Sequence, residues 1–515
     1  MVNREETQHF TKIDIEDDQP RPIFETIPVA PEQNKEVFVA DKADKDTSSK
    51  IEVEPVIIRD ETFGTPPPLS SPEDFTPLPE IEEKETNHLK VYVVLGIVFF
   101  IVVASFVFLF NTLRKKITPK QVKLVYWSLW EDKPVMDPLI TAYRKDHKNI
   151  TIDYIKQSPE SFREKVITQT KDGRGPDLFR FHNTWVPMLH DTLSPLPKNI
   201  MTNDEFEKTF YEIVREDMKV GNAYYGIPLY IDDLVLLYNN DFFKRVGITS
   251  PPKTWDELVT YAKQLTVPSA TGDPVTSGIA LGTAGNIEHF TDILGWMLLQ
   301  NGADLKDVSS VEGEQVLKKY REFAEAPNPI WSEKMTNNVA AFQEGKVAMI
   351  FAPSWQIANI KAANSNLDMK VAELPVLPGE SEPFSIANYW VEGVTRTSKH
   401  QKEAWEFLKY LSSRQAQTKL FELQVKARGL GSVSSRVDLK DTLLQNEILA
   451  PIISQAKYLK SIPTISRTFD NGLNDQINSY LEDAVNNAQN GVSYDEAMEK
   501  AQIGISSVLE KYNIK

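Results

Sequence analysis

Cysteine is absent from all 515 residues, so the chain has no disulfide framework, no cysteine nucleophile and no cysteine through which a lipid could tether it. Histidine is scarce at seven, and His9, His88, His147, His190, His289 and His400 read as tail, surface or helix residues. No GxSxG, HExxH or Walker loop occurs, so nothing marks a nucleophile, a metal site or a phosphate cradle. We therefore expect no catalytic residue, no metal and no cofactor, and read the chain as a non-enzyme. A basic footprint is also missing. Asp and Glu exceed Lys and Arg by 73 to 57, a net charge of −16, which excludes nucleic acid as a partner.

That imbalance is local. Residues 1–88 carry 22 Asp and Glu against 9 Lys and Arg, 9 minus 22 or −13, with 11 of the 32 prolines and no tryptophan. Such a segment cannot bury enough apolar surface to order itself, and a disordered acidic tail is expected over 1–88. Its PPPLSSP, Pro66 to Pro72, reads as a solvated spacer or a polyproline docking segment. The remaining charge, −16 minus −13 or −3, is nearly balanced.

From Val91 to Phe110 no charge occurs in VYVVLGIVFFIVVASFVFLF. A helix of that length rises about 30 Å, the thickness of a bilayer's hydrocarbon core, and a transmembrane anchor is expected over 91–113. A cleaved signal has a shorter apolar run nearer the start. Lys84 and Lys90 precede the run, whereas Arg114, Lys115, Lys116 and Lys120 follow it. Flanking charge alone would put the following domain in the cytoplasm.

Beyond the anchor the grammar is α/β. Leu234 to Tyr238 is an apolar run suited to a strand buried on both faces. A helical turn follows at Asp241, Gly247 closes it, Pro251 and Pro252 prevent its continuation, and Thr254 with Glu257 forms a capping box before Leu258. Val122 to Lys515 is too long for one core, so two α/β lobes are expected.

The same stretch, YGIP from Tyr225, YNNDFF from Tyr238, Gly247 and PKTWDEL from Pro252, resembles the extracellular solute-binding proteins of ATP-driven importers typified by the maltose-binding protein. Other landmarks follow in order: LVYWSLWED at Leu124 to Asp132, GRGPDLFRFHNTW at Gly173 to Trp185, AAFQEGKVAMIFAPSW at Ala340 to Trp355, LPVLPG at Leu374 to Gly379, and TSKHQKEAWEFLKYLSS at Thr397 to Ser413. The resemblance covers about 122–512. It implies a two-lobe periplasmic-binding-protein type II-like fold with a hinge. The first lobe would be 122–230 plus 393–440 and the second 235–390 plus 443–515, with crossovers near Leu229–Leu234 and Glu392–Thr395. It further implies an extracytoplasmic receptor, most often for a sugar, that closes on its solute and delivers it to ABC permease subunits. The domain would then face outward on a single-pass anchor with the tail in the cytoplasm, long segments being able to translocate despite flanking charge. The alternative is a ligand-sensing or interaction protein on the same fold, uncoupled from transport.

All nine tryptophans follow the anchor. Sugars offer C–H faces to aromatic rings and hydroxyls to Asp, Glu and Asn. On the family's landmarks the candidate ligand contacts are Trp127, Trp130, Glu131 and Asp132 after the first strand; Phe181, His182, Asn183 and Trp185 after the GPDLF strand; Tyr230 and Asp232 at the first crossover; Trp355 after the APS turn; and Asn388, Tyr389 and Trp390 before the return crossover. Asp232 matches the position where the family pattern often holds a ligand-binding acid. Trp127 and Trp185 read equally well as core. Trp255 and Trp405 read as packing, Trp296 as either, and Asp177 as fixing its own turn. IANYWVEG, from Ile386, is bulkier than the family's Gly-rich approach to the return crossover, which implies a smaller pocket or a different ligand.

Overall fold

The computed structural model describes residues 88–117, 120–381 and 383–514; the expected acidic tail, His88 apart, lies outside the described residues. Helix α1, His88–Ile117, contains a 22-residue stretch, Leu89–Phe110, long and apolar enough to cross a membrane. Lys120–Lys515 holds together as a separate compact unit.

Two five-stranded sheets organise that unit. In the first, β1 (Val122–Ser128) lies between parallel neighbours β2 (Ile150–Lys156) and β3 (Leu178–His182), and β10 (Trp390–Val394) runs antiparallel between β3 and β4 (Ile227–Pro228). All five side chains of β3 are buried, as a strand covered on both faces requires. In the second, β5 (Leu234–Asn239) runs antiparallel between β9 (Met369–Ala372) and β8 (Val347–Pro353). Beyond β8 come parallel β7 (Pro274–Ile279) and the short edge strand β6 (Val267–Pro268).

Local chemistry sets the ends of the elements after β5. Asn239 accepts from the amide of Asp241 to open the next helix, and Gly247, at φ 77°, closes it in the left-handed region. Thr254 then accepts from the Glu257 amide at 3.2 Å to start helix α3, Trp255–Leu265. The Glu257 carboxylate reaches back to the amide of Lys253 rather than that of Thr254.

Trp255 stacks at 5.3 Å on Trp296 of helix α4, Phe290–Gln300, and both rings rest on Phe351 of β8. Their indole N–H groups donate to Gln300 and to the carbonyl of Phe384. Trp296, open to either reading in the sequence, is therefore core. Trp405 is fully buried too. Asp177 ties more than its own turn, accepting from the amide of Val125 on β1 and from the hydroxyl of Ser398.

The chain crosses between the sheets at 229–233 and again at 387–389. The second crossing lies earlier than the expected Glu392–Thr395, because β10 is already paired from Trp390, opposite His182. Helices α6 (Leu473–Gln489) and α7 (Tyr494–Lys511) pack on each other, Gly504 leaving room for the ring of Tyr480, and both pack on the second lobe's helix Val311–Arg321.

Strand β7 and helix α3 approach so closely at Gly278 that a Cβ there would sit 2.0 Å from the carbonyl oxygen of Ala262. Backbone, unlike the end of a flexible side chain, cannot yield cheaply. Gly278→Ala is expected to destabilise the second lobe by about 2–3 kcal/mol. A lowered midpoint in denaturant with unchanged slope is the predicted observation, and an unshifted midpoint contradicts the packing described.

Candidate functional site

Backbone pairing stitches the crossings together. Tyr230 and Ile231 pair with Ser434 and Val433, Asp233 bridges to Ala387, and the amide of Asn388 donates to the carbonyl of Asp232 at 2.9 Å. Ser354, at the end of β8, ties the first crossing to the second lobe. Its amide donates to the carbonyl of Asp233, its oxygen accepts from the Asp233 amide, and its hydroxyl donates to the Asp232 carboxylate at 2.8 Å.

Beside this knot lies a small pocket of about 20 Å3, partly open to solvent and lined among others by Asp232, Ser354, Trp355, Arg428, Gly431 and Ser432. That is room for about one water molecule, so a sugar could enter only if the lobes part. Both lobes contribute: Trp355 follows β8 of the second, and Arg428 ends helix α5 (Arg414–Arg428), which leads into the strand pair at Val433. Arg428 is turned to the loop it precedes, donating to the carbonyl of Leu430 and the hydroxyl of Ser432. Burial pushes the Asp232 carboxyl up to about 7; the Ser354 hydroxyl and the Arg428 charge oppose the rise without cancelling it. An acid poised there can accept or donate a hydrogen bond.

An aromatic group stands at the end of the first sheet. Trp390 packs edge-on against Trp130 at 5.4 Å, His182 at 5.1 Å and Trp185 at 5.3 Å. Within it only Trp130 is exposed, at 38%. On the other lobe Trp355 is half-buried and packs edge-on against His289.

Several sequence candidates are committed elsewhere. Phe181 is wholly buried, its ring filling the space left by Gly226 and Gly393. Trp185 is 1% exposed behind Trp390. Trp127 is covered on its own lobe by the Lys165 ammonium of helix α2 (Phe162–Lys171) at 5.1 Å. Asp132 is exposed and pairs with Lys156 on β2. Glu131 and Tyr230 both engage the buried Arg180, through an ion pair and through the Tyr230 hydroxyl at 3.0 Å. Asn183 and Tyr389 donate to the carboxylate of Asp217, which also accepts from Ser461, and the Asn183 carbonyl faces the Tyr389 amide.

Asn388 is also buried, in a polar chain that crosses the lobes. His182 hydrogen-bonds with its carbonyl at 3.1 Å, and its amide donates to Asp292 of α4 at 3.3 Å. Asp292 accepts from Ser466, whose oxygen meets His289, and His289 lies 3.3 Å from Gln356. Burial lowers His182 to about 4, so it is neutral across this chain at ordinary pH. Sequence reasoning missed Arg180, Asp217, Asp292, Ser354, Arg428 and the loop at Ser466. Of these, Arg180 carried a readable signal, a charge inside the apolar strand LFRFH.

The Asp232 carboxyl titrates higher in the folded chain than in the unfolded one, so the folded state binds the extra proton. Its contribution to stability is present below about pH 4 and is lost as pH rises through about 7. Relative to wild type, Asp232→Asn should gain stability across that window, by at most about 1.4 kcal/mol per pH unit. Parallel pH–stability curves for the two proteins would contradict this assignment.

Comparison with known proteins fits this geometry. The sequence profile of the bacterial extracellular solute-binding protein family matches residues 138–451. A galactooligosaccharide-binding protein of Bacillus subtilis is 20% identical over 359 residues, 68% of this chain and 82% of that protein. Among solved structures, an ABC transporter solute-binding protein from Thermotoga lettingae bound with α-D-tagatose is similar with a TM-score of 0.59 and 22% identity, covering 76% of this chain and all of that one. The sugar-binding protein MalE of Xanthomonas citri gives 0.63 and 20%, covering 76% and 98%. The fold is thus the hinged two-lobe fold of these receptors, and the chain belongs to the bacterial extracellular solute-binding protein family.

Proposed function

We propose that the protein is a membrane-anchored extracytoplasmic receptor that captures a sugar by closure of two lobes and delivers it to an ABC importer. The observation that carries the reading is the juxtaposition at the knotted crossings of an acid, Asp232, and an aromatic ring, Trp355, with residues of the opposite lobe, around a small gap that parting of the lobes would widen. An aromatic face with carboxylate and hydroxyl acceptors is the complement of a pyranose, and the family and its sugar-binding members support the assignment. Trp130, Trp390 and Asn388 would complete the wall as the lobes part and close. The bodies that move would be 122–230 with 390–440 and 235–386 with 443–515.

Leu89–Phe110, at about 1.5 Å per residue, is long enough to span a bilayer core of about 30 Å. As a single-pass anchor it would leave the acidic tail in the cytoplasm and the domain outside. The polar groups of the cleft are arranged for binding. Their hydrogen bonds hold a hinge: the Ser354 hydroxyl that donates to Asp232 also accepts from the Asp233 amide and is engaged in tying the crossing.

The expected outcome is a thermal shift of the full chain in detergent with at least one of D-tagatose, maltose, maltotriose and galactotriose. At a hundredfold excess over the dissociation constant the stabilisation should reach about 2.7 kcal/mol. Trp355→Ala should weaken binding of the active sugar about tenfold, or about 1.4 kcal/mol. Titration calorimetry checks the second point, and an unchanged affinity removes Trp355 from the site. Binding that never stimulates a reconstituted permease would instead favour a sensor.

A further inference from the structure

Trp130 stands in a conformation that a bulky residue rarely adopts. Its φ is 67°, in the left-handed region, and the amide of Glu131 closes a three-residue turn around it by donating to the carbonyl of Leu129 at 2.8 Å. A γ-turn with positive φ is strained for any residue with a Cβ, and glycine is the residue that would relieve it. Such strain persists only where the surroundings over-determine the backbone.

Here they do, on both sides of the turn. Arg180 donates to the carbonyl of Leu129 at 3.0 Å and pairs with the Glu131 carboxylate. Tyr154 donates its hydroxyl to the carbonyl of Glu131 at 2.7 Å. Gln424 donates to the Glu131 carboxylate at 3.3 Å, while its own carbonyl accepts from the amide of Ser432 in the hinge pocket. Arg180 is fixed in turn by Glu392, its register partner on β10, at 2.6 Å, and by Tyr230 of the first crossing. All of these groups except Ser432 are buried; Trp130 alone projects, beside Trp390.

We infer that the buried Arg180–Glu131–Glu392 cluster is a positioning device whose task is to hold Trp130 in this strained turn, so that the indole forms a fixed wall for the apolar face of a sugar ring. The inference rests on the sugar-receptor reading and deepens it. A role in stability alone does not explain the arrangement. Burying an arginine between two carboxylates brings little net stability, and a chain selected only to fold would relieve the turn with glycine. Because Arg180 also touches the crossing strand through Tyr230, and Gln424 the pocket loop through Ser432, the orientation of Trp130 is tied to the segments that meet at the hinge.

The test uses the full chain in detergent as wild type, Trp130→Gly, Trp130→Ala, Trp130→Phe and Glu131→Gln. Three readouts are taken: melting without ligand, titration with D-tagatose and maltose, and the circular-dichroism couplet of the Trp130–Trp390 pair. Without ligand, Trp130→Gly should melt several degrees above Trp130→Ala, because both lack the ring and only glycine relieves the turn. Both should lose sugar affinity at least tenfold, and Trp130→Phe should restore most of it. Glu131→Gln should remain folded yet lose the couplet and about tenfold in affinity, a pattern that simple destabilisation would not give. Equal melting of the glycine and alanine variants overturns the strained turn, and wild-type affinity in Trp130→Gly overturns the ligand wall. If wild type binds none of the sugars, the sugar reading fails and Trp130's ligand role with it; the couplet and the glycine–alanine difference still decide whether the cluster holds the turn.

Discussion

Hydrogen bonds among the crossing segments are the constraint on which the arrangement of the folded domain rests. Each sheet has its own strands and its own buried faces, and either could satisfy its backbone without the other. What sets them in one register is the meeting of Tyr230–Asp233, Ala387–Asn388 and Val433–Ser434, with Ser354 tying the first of these to the second sheet. Pairing of this kind fixes position firmly and leaves rotation about a few residues soft, which is the mechanical character of a hinge. A ligand taken up beside such crossings touches both bodies at once, so its binding energy can be spent on their closure.

Polar groups are buried at this junction in unusual density, and each carries a cost that only a partner offsets. Asp217 collects three donors on one carboxylate oxygen, and lost hydration nevertheless pushes it up to about 6. Asp233 leans on Gln455 at 2.8 Å, and burial holds it well above the ordinary carboxylate range. Apolar replacements would be easier to bury. Networks of this kind have few equally good rearrangements, so they specify geometry at the expense of stability, which suits a receptor whose two states must be distinct.

The architecture was legible where the physics is local. An apolar run announced β5, the GPDLF landmark placed β3, and Gly247 and Thr254 announced a helix end and a helix start because left-handed backbone and free amides have few solutions. The crossings were less legible. The resemblance put the return crossover at Glu392–Thr395, yet Glu392 sits inside β10, where Arg180 stands opposite it across the sheet. Distances of 212 residues along the chain leave no trace in either local pattern. The same holds for the candidate site: the family landmarks picked out Trp130, Asp232 and Trp355 alongside Asn183, Trp185 and Tyr389, and gave no sign that the last three are held by Asp217, Trp390 and Ser461 from distant segments. Alternation along a strand decides which face a side chain takes, and only the tertiary fold decides what that face meets.

The most direct test of the account is the distance between the lobes as sugar is added. Because the chain has no cysteine, a single pair of introduced thiols, Asp137→Cys on the first lobe and Lys361→Cys on the second, can be labelled without background. The account predicts that energy transfer between the labels changes saturably with a bound sugar, at the concentrations where calorimetry records binding. A sugar that binds tightly while the distance distribution stays fixed would contradict closure as the working event.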